Sequence, residues 1–351
     1  MEMNDVRKDP LGVDGFEFVE YAAPDAQMLH TLFVSMGFSA IARHRAMNIT
    51  LYRQGDINFL INEEPDCFAA NFVREHGPCC TGFALRVEDA QAAYGSTIAN
   101  GAVSMTDVSR TAVNAPRIRG IGGSILYLVD RRNGSMLASE YELIEGADPN
   151  PKGYGLTFID HLTHNVFEGN MDVWADYYSR LFGFFEIRYF DIKGRQTGLR
   201  SRAMTAPTGV ISIPINESSE AKSQINEYLE ENQGEGVQHI ALYTDNVYAI
   251  VEAMREASKT FLDTPDTYYE IIDQRIPEHG EDLERMHKNR ILIDADEETH
   301  KKLLLQIFTR TNIGPIFFEI IQRKGNKGFG EGNFTALFES IELDQMRRGI
   351  L

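Results

Sequence analysis

Positive charge is scarce in this sequence: 34 Lys and Arg stand against 52 Asp and Glu, a formal net charge of −18 over 351 residues. A chain this acidic repels a phosphate backbone or an anionic membrane unless a local basic patch intervenes, and no such patch occurs, so nucleic-acid and membrane partners are not expected. Cysteine is equally sparse. Cys67, Cys79 and Cys80 are odd in number and two are adjacent, which excludes a disulfide framework and a CxxC zinc site and points to a reducing, cytoplasmic setting. Long apolar runs are missing too: no window approaches the ~18 residues of a membrane span, and residues 1–15 contain no apolar signal core. What remains is ordinary for a globular protein, 43% hydrophobic and 25% charged, in a length that suits about two domains of ~150–200 residues.

The chain repeats itself. Gly15-Phe-Glu-Phe-Val-Glu-Tyr21 resembles Gly155-Leu-Thr-Phe-Ile-Asp-His161, and each run alternates like a strand before leading into a helix. Leu29, Leu32, Phe33 and Met36 mark the apolar face of the first helix, which Gly37 stops. Trp174, Tyr177, Tyr178, Leu181 and Phe182 mark that of the second, with Asn170 as N-cap and Gly183 as stop. Thr81–Val87 and Val237–Tyr243 open a second pair of such units, the first helix capped by Asp89, the other with Val247, Ile250, Val251 and Met254 on one face. The pattern predicts an α+β protein of four βαβββ modules in two domains, 12–148 and 153–351, whose sheets curl around a cavity as an open β-barrel. A further helix is expected from Ser218 to Asn232, and a last one from Asn333 onward with Phe334, Leu337, Phe338 and Ile341 on one face.

The halves differ in ligand-type residues. Where the second half has His161 and His239, the aligned positions of the first are Tyr21 and Gly82. A mid-strand His more often satisfies a local hydrogen bond than binds a metal. Two of them on related opening strands, however, converge on one point if the modules pack about a pseudo-twofold axis. Glu319, embedded in Phe317-Phe-Glu-Ile-Ile321, is costly to bury without a partner. That partner is either a metal or an arginine, and Glu142 in the first half reads as the arginine-paired kind. Two His and one Glu from three distant strands would make a facial triad with open positions, the arrangement suited to non-haem Fe(II). His164 follows His161 by three residues and so faces the other side of its strand. His279 and His287 lie in charged surroundings and are expected to be solvated. Gly120–Ser124 precedes a strand instead of opening a helix, which makes it a turn and not a phosphate loop. The glycines between Gly325 and Gly332 read as a hinge before the last helix.

Several runs occurring together and in order resemble the 4-hydroxyphenylpyruvate dioxygenase family of the vicinal-oxygen-chelate (glyoxalase-like) superfamily. They are Asp160-His161-Leu-Thr-His-Asn165, Gly236-Val-Gln-His239, Leu303-Leu-Leu-Gln306-Ile-Phe308, Phe317-Phe-Glu319-Ile-Ile-Gln-Arg323 and Gly332-Asn333-Phe334. The resemblance extends from residue 12 to the C-terminus and is weaker in the first half. It implies one Fe(II) per chain held by His161, His239 and Glu319, and a non-metal-binding N-terminal domain. It further implies a catalytic polar set of Ser201, Asn216, Gln224, Gln238 and Gln306, and substrate contacts at Pro214, Phe308, Phe317, Asn333, Phe334, Leu337 and Phe338. The activity implied is conversion of 4-hydroxyphenylpyruvate and O₂ to homogentisate and CO₂ in tyrosine and phenylalanine catabolism. The last helix would be a gate, and the assembly a homo-oligomer, dimer or tetramer.

Three other readings compete. A 4-hydroxymandelate synthase takes the same substrate on the same scaffold, but Asn216 and Phe317 favour the ring-hydroxylating group. An extradiol dioxygenase would need a general-base His or Tyr beside the metal in place of a Gln-rich cavity. A non-enzymatic binding member of the superfamily would be expected to lose the ligands that His161, His239 and Glu319 retain.

Overall fold

The computed structural model describes residues 9–132, 134, 136–193, 198–220, 223–296, 299–333 and 336–337. Phe334, Phe338 and Ile341 lie outside the described residues. The first half contains β1 (Gly15–Ala22), β2 (Ser39–His44), β3 (Ile49–Gln54), β4 (Ile57–Asn62), β5 (Cys79–Arg86), β6 (Arg117–Arg119), β7 (Ile125–Val129) and β8 (Tyr141–Leu143). They form one sheet in the order β6-β7-β5-β1-β4-β3-β2-β8. The second half contains β9 (Leu156–Asn165), β10 (Phe185–Lys193), β11 (Gly198–Thr205), β12 (Ser212–Glu217), β13 (Gly236–Thr244), β14 (Leu292–Ala295), β15 (Leu303–Phe308) and β16 (Phe317–Lys324). Their order is β10-β11-β12-β9-β13-β16-β15-β14. At the centre of each sheet the opening strands of two modules run antiparallel, and each has a parallel neighbour from its own module.

Two helices pack on the sheet faces opposite those that carry Phe18 and His161. Gln27–Ser35 and Met171–Phe182 follow the first strand of their modules, as their apolar spacing requires. Gly37 and Gly183 end them in left-handed conformations, φ 86° and 72°. Asp89 caps Ala90–Ala99 by accepting from Gln91 N and Ala92 N at 3.0 Å each, a contribution of about 1 kcal/mol. Asn170 does not cap its helix. Its amide donates instead to Glu235 Oε1 at 2.6 Å, and the Glu217 carboxylate takes the free N–H groups of Gly169 and Met171 at 2.9 and 3.1 Å. The helix expected from Ser218 begins only at Gln224, capped by Ser223, because the Ser218 hydroxyl donates to Gly198 O at 2.8 Å.

The second module departs from the four-strand plan. Where its extra strand was expected there is one isolated bridge, Ser104 to Ile118, and β8 pairs with β2 of the first module. The intervening segment turns inward. Met105, Ala112, Val113 and Ala115 are buried against Phe18, Leu60, Ala84 and Tyr127, and the Tyr141 hydroxyl donates to Ala112 O at 3.0 Å. The interior of the first sheet is therefore filled by its own chain. A second core runs between the halves: Tyr21 meets Phe33, Phe59 and Phe318 with ring centroids 5.4, 5.3 and 6.4 Å apart. Gln54 fastens the connection, its Oε1 accepting from Tyr154 N, Gly155 N and Leu156 N at 2.8, 3.0 and 3.2 Å. The run Gly120–Ser124 is a turn, as expected, and Gly122 (φ 58°) is required there because a Cβ would lie 1.9 Å from Glu235 O. Cys67, Cys79 and Cys80 are free and buried.

One buried acid in the first half gives a stability prediction. Burial pushes the Glu20 carboxyl up, against hydrogen bonds from Asn62 and the Tyr127 hydroxyl at 2.6 and 3.1 Å. The folded state then holds this proton more tightly than the unfolded chain, so the group's contribution is full in acid and falls as pH rises past the ordinary carboxylate range. Glu20→Gln removes that cost. Its stability relative to wild type should rise by roughly 1 kcal/mol between about pH 5 and about pH 8 in urea unfolding. A variant that loses ground as the pH rises would contradict the assignment.

Candidate metal centre

The site is built on three central strands of the second sheet. A bulge interrupts the β9–β13 ladder at Asp160: Ile159 pairs with Leu242 and His161 with Ala241. His239 on β13 stands opposite Thr163 and beside Phe317, and Glu319 on β16 stands beside Ala241. The register thus sets His161 and Glu319 on either side of Ala241, with His239 two residues along. His161 Nε2 lies 3.3 Å from Glu319 Oε2, and His239 Nε2 lies 3.5 Å from the same oxygen. The three potential ligand atoms fall within 4.8 Å of one another.

Supporting groups orient all three. Asp160 Oδ1 lies 2.8 Å from His161 Nδ1. Gln238 Oε1 is 3.0 Å from His239 Nδ1, and the Phe317 ring stacks on His239 at 4.8 Å and 19°. Gln306 Nε2 donates to Glu319 Oε1 at 3.2 Å. Burial opposes charge on His161, yet its hydrogen bonds to Asp160 and Glu319 outweigh it and lift the pKa to about 8. Burial lowers His239. Burial alone would raise Glu319, but hydrogen bonds to His161 and His239 hold it down at about 2. Among the described residues no arginine or lysine forms an ion pair with Glu319. A buried carboxylate facing two imidazoles, with ring nitrogens turned toward one point, is a donor set that fits a divalent cation.

A cavity of about 340 Å³ opens over these residues. Ser201, Pro214, Asn216, Gln224, Gln238, Phe308, Phe317 and Leu337 line it, from strands β11, β12, β13, β15 and β16, the helix Gln224–Glu231 and the described C-terminal residue Leu337. Two residues expected in the lining sit behind it. Gln306 is directed at Glu319, and Asn333 donates to Gln306 Oε1 at 2.9 Å while accepting from the Tyr268 hydroxyl at 2.6 Å. They touch the cavity only through Glu319. Gly330 serves this packing: at its φ of 82° a Cβ would lie 1.9 Å from Gln306 Oε1. His164 faces away, its Nε2 2.6 Å from the Tyr178 hydroxyl. The His279 side chain is enclosed and held 3.0 Å from Asp273, contrary to expectation, whereas His287 is partly exposed and pairs with Asp266.

Sequence reasoning missed Thr163, Phe190, Leu199, Leu262, Phe329 and Glu331, all in the cavity wall. Thr163 was within reach, two residues from His161 and on the same face of the strand. The expected pairing of His161 with Tyr21 is corrected by the ladders. In β1 the bulge falls at Glu17, so that Phe18 is the residue opposite Ala84, as His161 is opposite Ala241. The counterparts of His161, His239 and Glu319 are Phe18, Gly82 and Tyr127, and the two aromatic rings meet at 5.2 Å where ligands would stand. Tyr21 faces the core between the halves.

Fold and site together define the class. Residues 158–270 match the family model of the Glyoxalase/Bleomycin resistance protein/Dioxygenase superfamily. Residues 7–143 match the model described as hydroxyphenylpyruvate dioxygenase, N-terminal. The chain is 52% identical to a 4-hydroxyphenylpyruvate dioxygenase of Pseudomonas aeruginosa, over 99% of this chain and 100% of that one. It is 53% identical to hemolysin VllY of Vibrio vulnificus, over 98% of each. A solved fusion of a xylose isomerase-like TIM barrel with a 4-hydroxyphenylpyruvate dioxygenase superposes with a TM-score of 0.82 at 29% identity, covering 98% of this chain and 55% of the fusion. This chain belongs to the 4-hydroxyphenylpyruvate dioxygenase family. No helix among its described residues is long and apolar enough to cross a membrane.

Proposed function

We propose that the chain binds one Fe(II) through His161, His239 and Glu319 and converts 4-hydroxyphenylpyruvate and O₂ to homogentisate and CO₂. The observation that carries this reading is the position of the three ligand-type side chains on the floor of a cavity with Phe190, Phe308, Phe317 and Phe329 in its walls, and with amides, hydroxyls and the Glu331 carboxylate as its other polar side chains. When bound, Fe(II) supplies open positions for a chelating 2-oxo acid and for O₂, and the electrons that activate O₂. The protein's own part is positioning. Phe308 and Phe317, whose rings meet edge to face at 6.0 Å, form one aromatic wall against which the substrate ring packs, and Ser201 and Asn216, paired across β11 and β12, offer hydrogen bonds to its hydroxyl. Gln224 and Gln238 serve the polar end of the substrate, and Phe329, Leu262 and Leu337 keep water from it.

The balance needs no external reductant. The 2-oxo acid loses CO₂ and supplies two electrons; one oxygen atom of O₂ completes the new carboxylate and the other becomes the ring hydroxyl. The N-terminal half binds no metal in this reading, since Phe18 and Tyr127 fill the related positions. Three free, buried cysteines support a reducing, cytoplasmic location, and assembly as a dimer or tetramer belongs to the same reading. Chromatography of an aerobic reaction with Fe(II) is the test: homogentisate is expected as the main aromatic product. A main product of 4-hydroxymandelate would assign the chain to benzylic hydroxylation, and unconsumed substrate would remove the substrate assignment altogether.

A further inference from the structure

Both halves carry the same bulge in the same place. In β1 it falls at Glu17 and in β9 at Asp160, each between residues that pair with adjacent positions of the partner strand. Arg131 lies four residues beyond Tyr127, as Arg323 lies four beyond Glu319, and each arginine meets the bulge carboxylate of its own half. Glu17 Oε2 is 2.9 Å from Arg131 Nη2. Asp160 is gripped by both arms of Arg323, Nε and Nη2 at 2.7 Å each. The difference is the neighbour. Next to Glu17 stands Phe18, whose side chain has no hydrogen to donate to the carboxylate, so that pair only braces strands. Next to Asp160 stands His161, whose Nδ1 lies 2.8 Å from the same Oδ1 that Arg323 holds.

Resting on the ligand set proposed above, we infer that Arg323 is a positioning residue for the metal centre: by clamping both oxygens of Asp160 it fixes the ring angle and tautomer in which His161 turns Nε2 toward Glu319. A carboxylate held this way accepts only from an Nδ1–H imidazole, which leaves the Nε2 lone pair for a metal. A second contact fixes the ring from the side. Phe329 lies edge-on to His161 at 5.3 Å, and the Arg323 guanidinium sits 5.6 Å from that same Phe329 ring. Arg323 Nη1 also donates to Gly328 O at 2.7 Å, which anchors the turn that carries Phe329.

The pair in the first half is an internal control, because it has the same fold role and no imidazole to orient. Titration of the metal-free full-length chain with Co(II), followed by its visible absorption, reads affinity and coordination without turnover. Arg323→Met and Asp160→Asn are expected to weaken Co(II) binding roughly 10–100-fold and to change the band shape, with Arg323→Lys restoring part of the affinity. Arg131→Met should lower the thermal midpoint and leave both readouts unchanged. Wild-type affinity and spectrum in Arg323→Met and Asp160→Asn would overturn the inference, as would an equal loss in Arg131→Met. A His161→Ala chain that kept the wild-type spectrum would sink the ligand set itself, a failure distinct from either.

Discussion

Alanine in place of His239 is expected to give a folded chain that no longer retains iron. In the proposed ligand set His239 contributes one of three ligand atoms, and its loss should weaken metal binding by more than about 100-fold, the upper end of what removal of a mere supporting partner costs. Activity should fall with metal content to the limit of detection. The fold should survive, since what is lost is ring contacts with Phe317, Phe308 and His161 and polar contacts with Thr163, Gln238 and Glu319, all at the wall of an existing cavity that water can enter. Metal analysis of the dialysed protein beside circular dichroism checks both halves of the statement, and stoichiometric iron in the variant would remove His239 from the ligand set. Tyr21→Phe is the matched control: its hydroxyl has no hydrogen-bond partner among the described residues, so iron content should stay at the wild-type level.

Phe317→Val should produce the other large change, in what is made and not only in how fast. The ring that stacks on His239 also forms part of the cavity wall with Phe308. Valine opens that wall, and a shift of about 1 Å in the substrate ring is enough to cost ~10²-fold in rate and to bring the benzylic carbon within reach of oxidation. Loss of the stacked ring also loosens His239, so a modest fall in metal affinity should accompany the change in product. Product chromatography should show a fraction of 4-hydroxymandelate absent from the wild-type reaction. A variant that is slow yet makes homogentisate alone would mean that other walls set the ring position.

Much of this was legible in residue order. Strand alternation placed β1, β5, β9 and β13, the odd spacing of His161 and His164 put them on opposite faces, and the Asp89 cap and the Gly37 and Gly183 stops follow from local chemistry that needs no tertiary information. The failures are nonlocal. Local similarity of the two opening runs set Tyr21 against His161, whereas the ladders, each with its bulge at the equivalent position, set Phe18 there, three residues earlier; only strand pairing fixes that register. Asn170 looked like a cap until Glu217, distant in sequence, took the free N–H groups. Gly330 read as a hinge because the close approach of Gln306 can be seen only in three dimensions. Arg323 was quoted as part of a motif, yet its role depends on meeting Asp160 across 163 residues of chain.

The inward segment between Ser104 and Arg117 bears on how a duplicated fold can divide its labour. Its buried residues occupy, in the first half, the volume that the second half leaves open to substrate. Side chains at matching ladder positions therefore meet different physical demands, packing in one half and an open cavity in the other. A change at Tyr127 or Phe18 alters how well the chain stays folded, whereas a change at Glu319 or His161 alters what it can bind. Mutational tolerance mapped along the two sheets would trace the same register twice, once as a map of thermal resilience and once as a map of chemistry.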